Sequence, residues 1–155
     1  MQTHNHSHYA ARGFTMIELI AAITIGAMML ALAVPASVKM YETMQYRSAV
    51  KDAVTLLASA RYKAIDSGRA QDVRIKPDER EIQLNDATET LPGNLTVAVT
   101  SARELNQQGV GVIRFYPEGG SSGGGIDIER ENGSGVRISV DWLIGRVIQE
   151  RYNSE

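Results

Sequence analysis

Cysteine is absent from the 155 residues, so the chain has no disulfide, no thiolate metal site and no cysteine nucleophile. The three histidines, His4, His6 and His8, all lie at the N-terminus, and the rest of the chain has no imidazole for Ser-His-Asp catalysis or histidine metal binding. A formal net charge of −2 excludes a strongly basic surface that coats nucleic acid. The sequence therefore predicts a protein that is not an enzyme and that has no cofactor and no metal site.

Uncharged stretches are short everywhere except at residues 19–38, which contain no charged side chain. As a helix this run would cover about 30 Å, the thickness of the hydrocarbon core of a bilayer. It could be a membrane helix, a cleaved secretory signal peptide or a buried core helix, and its length and N-terminal position disfavour the last. The triplet Ala31-Leu32-Ala33 fits a signal peptidase site. Glu18 argues against it, because a charge inside an apolar block costs about 2.5 kcal/mol or more and a signal peptide has no use for one.

The residues around this acid form a motif. Residues 13–20 read GFTMIELI after a short polar segment, and this pattern resembles the class III signal of type IV pilins and type II secretion pseudopilins. In that family a prepilin peptidase cuts after the glycine and methylates the new N-terminus. The resemblance implies cleavage between Gly13 and Phe14 and N-methylation of Phe14. It also places Pro35 where many members have a proline that kinks the helix.

Glu18 becomes the fifth residue of the processed chain under this resemblance. A carboxylate in the apolar layer of a filament can pair with the N-terminal amine of a neighbouring subunit, here that of Phe14. Each charge is costly alone in an apolar medium and is tolerated as part of a pair. We therefore expect Glu18 and Phe14 to control assembly, since a subunit out of register would leave both charges unpaired.

The domain organisation follows from the resemblance and from hydrophobic periodicity. The resemblance makes residues 1–13 the leader peptide, and the periodicity predicts that residues 14–67 form one long helix of about 80 Å. Up to about residue 38 this helix would lie in the membrane or filament core, and beyond it apolar residues recur every three or four positions, as in an amphipathic helix. Gly68 is a C-terminal stop signal.

From residue 71 the apolar residues alternate with polar ones, which predicts seven short antiparallel strands, the last at residues 143–149. Residues 68–155 are thus expected to form an antiparallel β domain, which the resemblance places in the periplasm. The fold class is α+β. The resemblance makes it a type IV pilin-like fold, with the long N-terminal helix packed on a C-terminal antiparallel sheet.

Residues 119–125 read GGSSGGG. They lack the Gly-Lys-Ser/Thr ending and the following helix of a phosphate-binding loop. We interpret them as a flexible surface loop that adapts to a subunit or substrate contact. The candidate interface residues are Gly119, Gly120, Gly123, Gly124, Gly125 and Arg146.

The C-terminal part of the sequence indicates which group of pilin-like proteins the chain resembles. A Gly-rich loop, a strand, a turn, a second strand and then Gly145-Arg146 resemble the C-terminal half of the GspH/FimT family of minor pseudopilins and minor pilins. This implies a minor pseudopilin of the type II secretion system near the pseudopilus tip. One alternative is a FimT-like minor pilin that primes pili or takes up DNA, although residues 145–148 lack the final arginine of its Gly-Arg-x-Arg element. An alternative of another class is a secreted β-rich protein with an ordinary signal peptide.

The partners implied by the resemblance are prepilin peptidase, other major and minor pseudopilins, the inner-membrane assembly platform and the lipid bilayer. The chain would cross the bacterial inner membrane once, with its C-terminal domain in the periplasm. Nucleic acid is disfavoured as a partner, because removal of the leader takes away Arg12 and leaves the chain more acidic.

Overall fold

The computed structural model describes residues 13–101 and 109–153. The predicted leader, apart from Gly13, lies outside the described residues. The chain forms two compact units, Met1–Tyr41 and Glu42–Glu155, and each is described by itself. The boundary between them falls inside the long helix, so the second unit contains the C-terminal part of that helix together with all the strands.

Helix α1, Met16–Ser67, begins in the first unit and continues into the second. Every described residue of that unit is exposed, and the helix is assigned continuously through Pro35. The hydroxyls of Thr24 and Ser37 donate to the carbonyls of Ile20 and Ala33 at 2.8 and 3.0 Å. These bonds satisfy two hydroxyls within the helix itself, as an apolar environment requires. The kink at Pro35 remains a prediction.

In the second unit one face of α1 is buried. The buried positions recur every three or four residues, and alanines that are almost wholly inaccessible let the helix approach the sheets closely. The helix ends at Ser67, where Gly68 takes a left-handed conformation with φ +62°. The buried residues of α1 are Tyr46, Ala49, Val50, Ala53, Leu56, Leu57, Ala60 and Ala64.

The described residues form eight strands in two four-stranded antiparallel sheets. In the first sheet the spatial order is β3-β2-β1-β5, and in the second it is β4-β6-β7-β8. The strands are β1 Gln71–Lys76, β2 Glu81–Leu84, β3 Ala87–Thr90, β4 Leu95–Thr100, β5 Gly111–Phe115, β6 Gly124–Arg130, β7 Ser134–Val140 and β8 Val147–Asn153.

The core of the second unit lies between α1 and the inner faces of both sheets. Leu57 of the helix and Phe115 of β5 are each 0% exposed. Alternate residues of the paired strands join them, such as Ile126 of β6 opposite Ile138 of β7. This alternation, with polar residues on the outer face, is what the period of two predicted. The α+β class is confirmed.

Two strand predictions were wrong in detail. Strand β3 was missed because its sequence, Ala-Thr-Glu-Thr, is exposed throughout and has no apolar alternation to reveal it. The last strand was placed too early, at residues 143–149. In the structure Asp141 starts a turn, since its carboxylate accepts hydrogen bonds from the amides of Leu143 and Ile144, and β8 follows that turn.

An ion pair links β1 to β5 and yields a pH prediction. The guanidinium of Arg114 donates to both carboxylate oxygens of Asp72 at 2.6 and 2.7 Å, with the two side chains 37% and 30% exposed. This hydrogen bonding lowers the pKa of Asp72 from its ordinary 3.8. The ion pair therefore stabilises the folded state fully above pH 3.8, the ordinary pKa of the carboxyl group, and this stabilisation is lost as the pH falls through the lowered pKa.

We predict that Asp72→Asn lowers the unfolding free energy at pH 7 by less than about 1 kcal/mol, because the pair is partly solvated. The gap between variant and wild type should close below pH 4. Denaturant unfolding of the full chain in detergent micelles measures both, with Asp86→Asn, at an exposed turn position, as control. A gap that persists at low pH would contradict the assignment.

Candidate assembly surfaces

The predicted processing and assembly residues lie together at the start of α1. Gly13, Phe14, Thr15 and Glu18 line one surface depression. Phe14 is 83% exposed, and Glu18 is also exposed. The structure thus brings the expected cleavage site and the expected assembly acid to one place.

Thr15 is the residue of this site that the sequence analysis missed. Its side-chain Oγ1 accepts a hydrogen bond from the backbone amide of Glu18 at 3.2 Å, and its carbonyl accepts one from Leu19 at 3.2 Å. Thr15 is therefore the N-cap of α1, and Glu18 is the third residue of the first turn. The spacing Thr-x-x-Glu is the capping-box signal, which could have revealed it.

The N-cap uses the backbone amide of Glu18 but not its carboxylate. Its backbone amide is satisfied within the chain, and among the described residues its carboxylate has no ion pair. Both acid and cap stand beside the peptide bond between Gly13 and Phe14. The carboxylate is therefore placed to receive a cation from outside the described chain.

The helix surface beyond this site is apolar and has no covering within its own unit. Its large side chains between residues 14 and 41 are 51–83% exposed. By length and composition α1 can cross a membrane. A surface of this size in a water-soluble chain would drive association, so it requires lipid or other protein around it.

The Gly-rich segment corrects one expectation. Residues 119–125 were expected to be a flexible surface loop, but Gly119, Ser121 and Gly125 are buried, and Gly124 and Gly125 belong to β6. The amide of Ser121 donates to the carbonyl of Trp142 at 2.9 Å, and its hydroxyl donates to the carbonyl of Asp141 at 3.0 Å. The glycines allow the backbone of this segment to pack against the turn before β8.

The Gly-rich segment packs closely against the turn at residues 141–146. A Cβ on Gly120 would lie 3.2 Å from the carbonyls of Trp142 and Leu143, and one on Gly145 would lie 2.5 Å from the carbonyl of Gly119. Arg61 of α1 completes the support, because its Nε donates to the carbonyl of Ile144 at 3.0 Å. The Gly-rich segment therefore has a structural role, because it holds the turn in a position where the turn is exposed to solvent.

The turn carries an exposed apolar tip, residues 142–144. Trp142, Leu143 and Ile144 are 69%, 65% and 46% exposed, while the backbone bonds described above hold them in place. Arg146 is exposed beside them. An interface role for Gly119, Gly120 and Gly123–Gly125 remains a prediction, and the geometry makes any such role indirect.

Two family models match separate parts of the chain. The "Prokaryotic N-terminal methylation motif" matches residues 9–34, and "Type II transport protein GspH" matches residues 49–143. The first match includes the depression around Phe14 and the first turns of α1. The second covers the C-terminal part of α1, strands β1 to β7 and the first half of the turn before β8.

A curated relative supports the same assignment. Type II secretion system protein H of Xanthomonas campestris pv. campestris is 32% identical over 151 residues, covering 92% of this chain and 89% of the relative. The chain carries a pilin-like N-terminal methylation motif, and it belongs to the GspH family of type II transport proteins.

Solved structures of two proteins share the fold. The minor pseudopilin EpsH from the type 2 secretion system of Vibrio cholerae matches with a TM-score of 0.54 and 16% identity over 70% of this chain and 97% of EpsH. The type IV minor pilin FimU of Pseudomonas aeruginosa matches with a TM-score of 0.56 and 16% identity over 70% of this chain and 90% of FimU. These matches confirm the type IV pilin-like fold, and they do not separate pseudopilin from pilin.

The packing of the turn can be tested at two glycines with the same backbone conformation. Gly145 and Gly68 have φ of +61° and +62°. A Cβ at Gly145 meets the carbonyl of Gly119, whereas a Cβ at Gly68 meets nothing within 4 Å. We predict that Gly68→Ala costs about 1 kcal/mol of unfolding free energy through backbone strain alone. Gly145→Ala should cost about 3 kcal/mol, because overpacking adds to the strain.

Denaturant unfolding of the full chain in micelles measures this difference. Equal losses at the two positions would contradict the packed turn, since the strain term is shared and the steric term is not.

Proposed function

We propose that this chain works as a structural subunit of the type II secretion pseudopilus: a minor pseudopilin, assembled near the tip, that supports protein export across the outer membrane. The observation that carries this is the methylation motif and exposed apolar helix at one end of a chain whose other part matches GspH. The role is mechanical, and the chain catalyses no reaction.

The apolar part of α1 has two environments in this proposal. Before assembly it crosses the bacterial inner membrane once, and the Glu42–Glu155 unit lies in the periplasm. After assembly the same surface packs against other major and minor pseudopilins in the filament. The exposed side chains of residues 14–41 are compatible with both, because lipid tails and neighbouring helices are equally apolar. The transfer also requires the inner-membrane assembly platform.

Processing by prepilin peptidase starts this path. Gly13 lies before the helix in a segment without regular structure, and a Cβ there would meet nothing within 4 Å, so the peptide bond that follows it is accessible. Cleavage gives Phe14 a free α-amine, which the enzyme then methylates. The new amine stands one residue before the N-cap Thr15.

The pairing of that amine with a carboxylate fixes the register of subunits. Glu18 has no ion pair among the described residues, and an incoming Phe14 amine supplies the missing charge. In an apolar layer the two charges are far less costly together than apart. A neighbour shifted along the helix leaves both uncompensated.

A FimT-like minor pilin remains the second candidate only at the level of the fold, which FimU shares. No additional observation favours it. A secreted protein with an ordinary signal peptide would be cut before Val34 and would lose the methylation motif altogether.

We predict that Glu18→Gln leaves cleavage after Gly13 intact but reduces incorporation into sheared or cross-linked pseudopili at least about tenfold, because an unpaired charge in an apolar layer costs about 3–5 kcal/mol. Glu18→Asp, which keeps the charge, should recover part of the loss. Glu42→Gln, on the same helix, serves as the matched control. Normal incorporation of Glu18→Gln would refute the pairing.

A further inference from the structure

A cleft in the Glu42–Glu155 unit is not used by any role described above. It runs between α1 and the strands β7 and β8 and has a volume of about 420 Å³. Its walls come from helix residues 43–55, from the end of β6 and from the two C-terminal strands. The Gly-rich segment and the turn at residues 141–146 do not contribute to it.

The charged side chains around this cleft are all positive. They are Arg47 and Lys51 on α1, Arg130 at the end of β6 and Arg151 on β8, and no carboxylate lines the cleft. None of the four forms an ion pair with a described residue. A chain with more acids than bases thus collects four unpaired cations in one concave place, where their fields add.

Arg130 adds an unmet hydrogen-bonding requirement. Its guanidinium carbon lies 4.3 Å from the centre of the Tyr46 ring, which holds the group against the wall of the cleft. Its Nε is buried and has no hydrogen-bond partner among the described residues. A buried charged donor without a partner is costly, and the charge of an anionic group in the cleft would stabilise the guanidinium electrostatically.

The remaining lining favours a polypeptide over a nucleic acid or a lipid surface. Val50, Val54 and Val136 provide apolar contact inside the cleft. Its two aromatic rings already have partners that disfavour stacking with a base, since Arg130 lies over Tyr46 and Arg137 lies over Tyr152. The cations stand on opposite walls of a trough, whereas a membrane would need them on one plane. Strand β8 is the edge of its sheet, and its backbone can pair with an extended segment.

We propose that this cleft binds an extended acidic segment of a partner protein. Carboxylates of the segment would pair with Arg47, Lys51 and Arg151, and apolar side chains between them would contact the valines. The inference does not depend on the pseudopilus assignment, because it rests on the charges and shape of the cleft alone.

The test uses the full chain in detergent micelles and a short fluorescein-labelled peptide of alternating glutamate and leucine. Fluorescence anisotropy should show saturable binding that weakens as salt is raised. The double variant Arg47→Glu/Lys51→Glu should weaken binding at least about tenfold, since like charges then face the peptide. Arg130 is left unchanged, because its packing on Tyr46 makes it part of the fold.

The matched control reverses two exposed cations outside the cleft, in the double variant Lys63→Glu/Arg69→Glu, and it should bind the peptide as wild type does. Circular dichroism checks that both doubles are folded. The proposal is overturned if the peptide does not bind at low salt, or if both doubles weaken binding equally. It is also overturned if a single-stranded oligonucleotide or added phosphatidylglycerol competes for the cleft more strongly than unlabelled peptide.

Discussion

One physical constraint governs the fold: the apolar surface of α1 is covered within the Glu42–Glu155 unit from Tyr46 onward, and it is uncovered in the described part of the Met1–Tyr41 unit. Beyond that point the strands bury one face of the helix, with Leu57, Ala60 and Ala64 wholly inaccessible. In the Met1–Tyr41 unit, every residue that the structure describes is exposed. Bilayer and filament are two solutions to the same physical problem, and the helix has the composition for both.

Between residues 14 and 38 the chain has four polar side chains, and three of them form a local hydrogen bond. Thr24 and Ser37 donate to carbonyls one turn back, and Thr15 caps the first turn. Glu18 is the exception, since its carboxylate is left without an ion pair among the described residues. An uncompensated charge on an otherwise apolar surface is the place where a specific partner gains most, and this is the physical basis of our proposal that Glu18 sets the register of subunits.

The sequence predicted those features of the structure that depend on a few neighbouring residues. The motif at residues 13–20, the change of period near residue 71 and the stop at Gly68 are all contained within a few neighbours. The role of residues 119–125 was misjudged, because a Gly-rich composition is the same for a mobile loop and for a backbone packed against Trp142 and Gly145. The cleft could not be foreseen either, since Arg47, Arg130 and Arg151 meet only through the pairing of β6, β7 and β8.

We propose that the chain enters its assembly through cleavage between Gly13 and Phe14. N-terminal sequencing and intact-mass measurement of the protein recovered from the membranes of producing cells test this cleavage. We expect a chain that begins at Phe14 and carries an N-methyl group. A chain that begins at Val34, or one that retains residues 1–13, would contradict it.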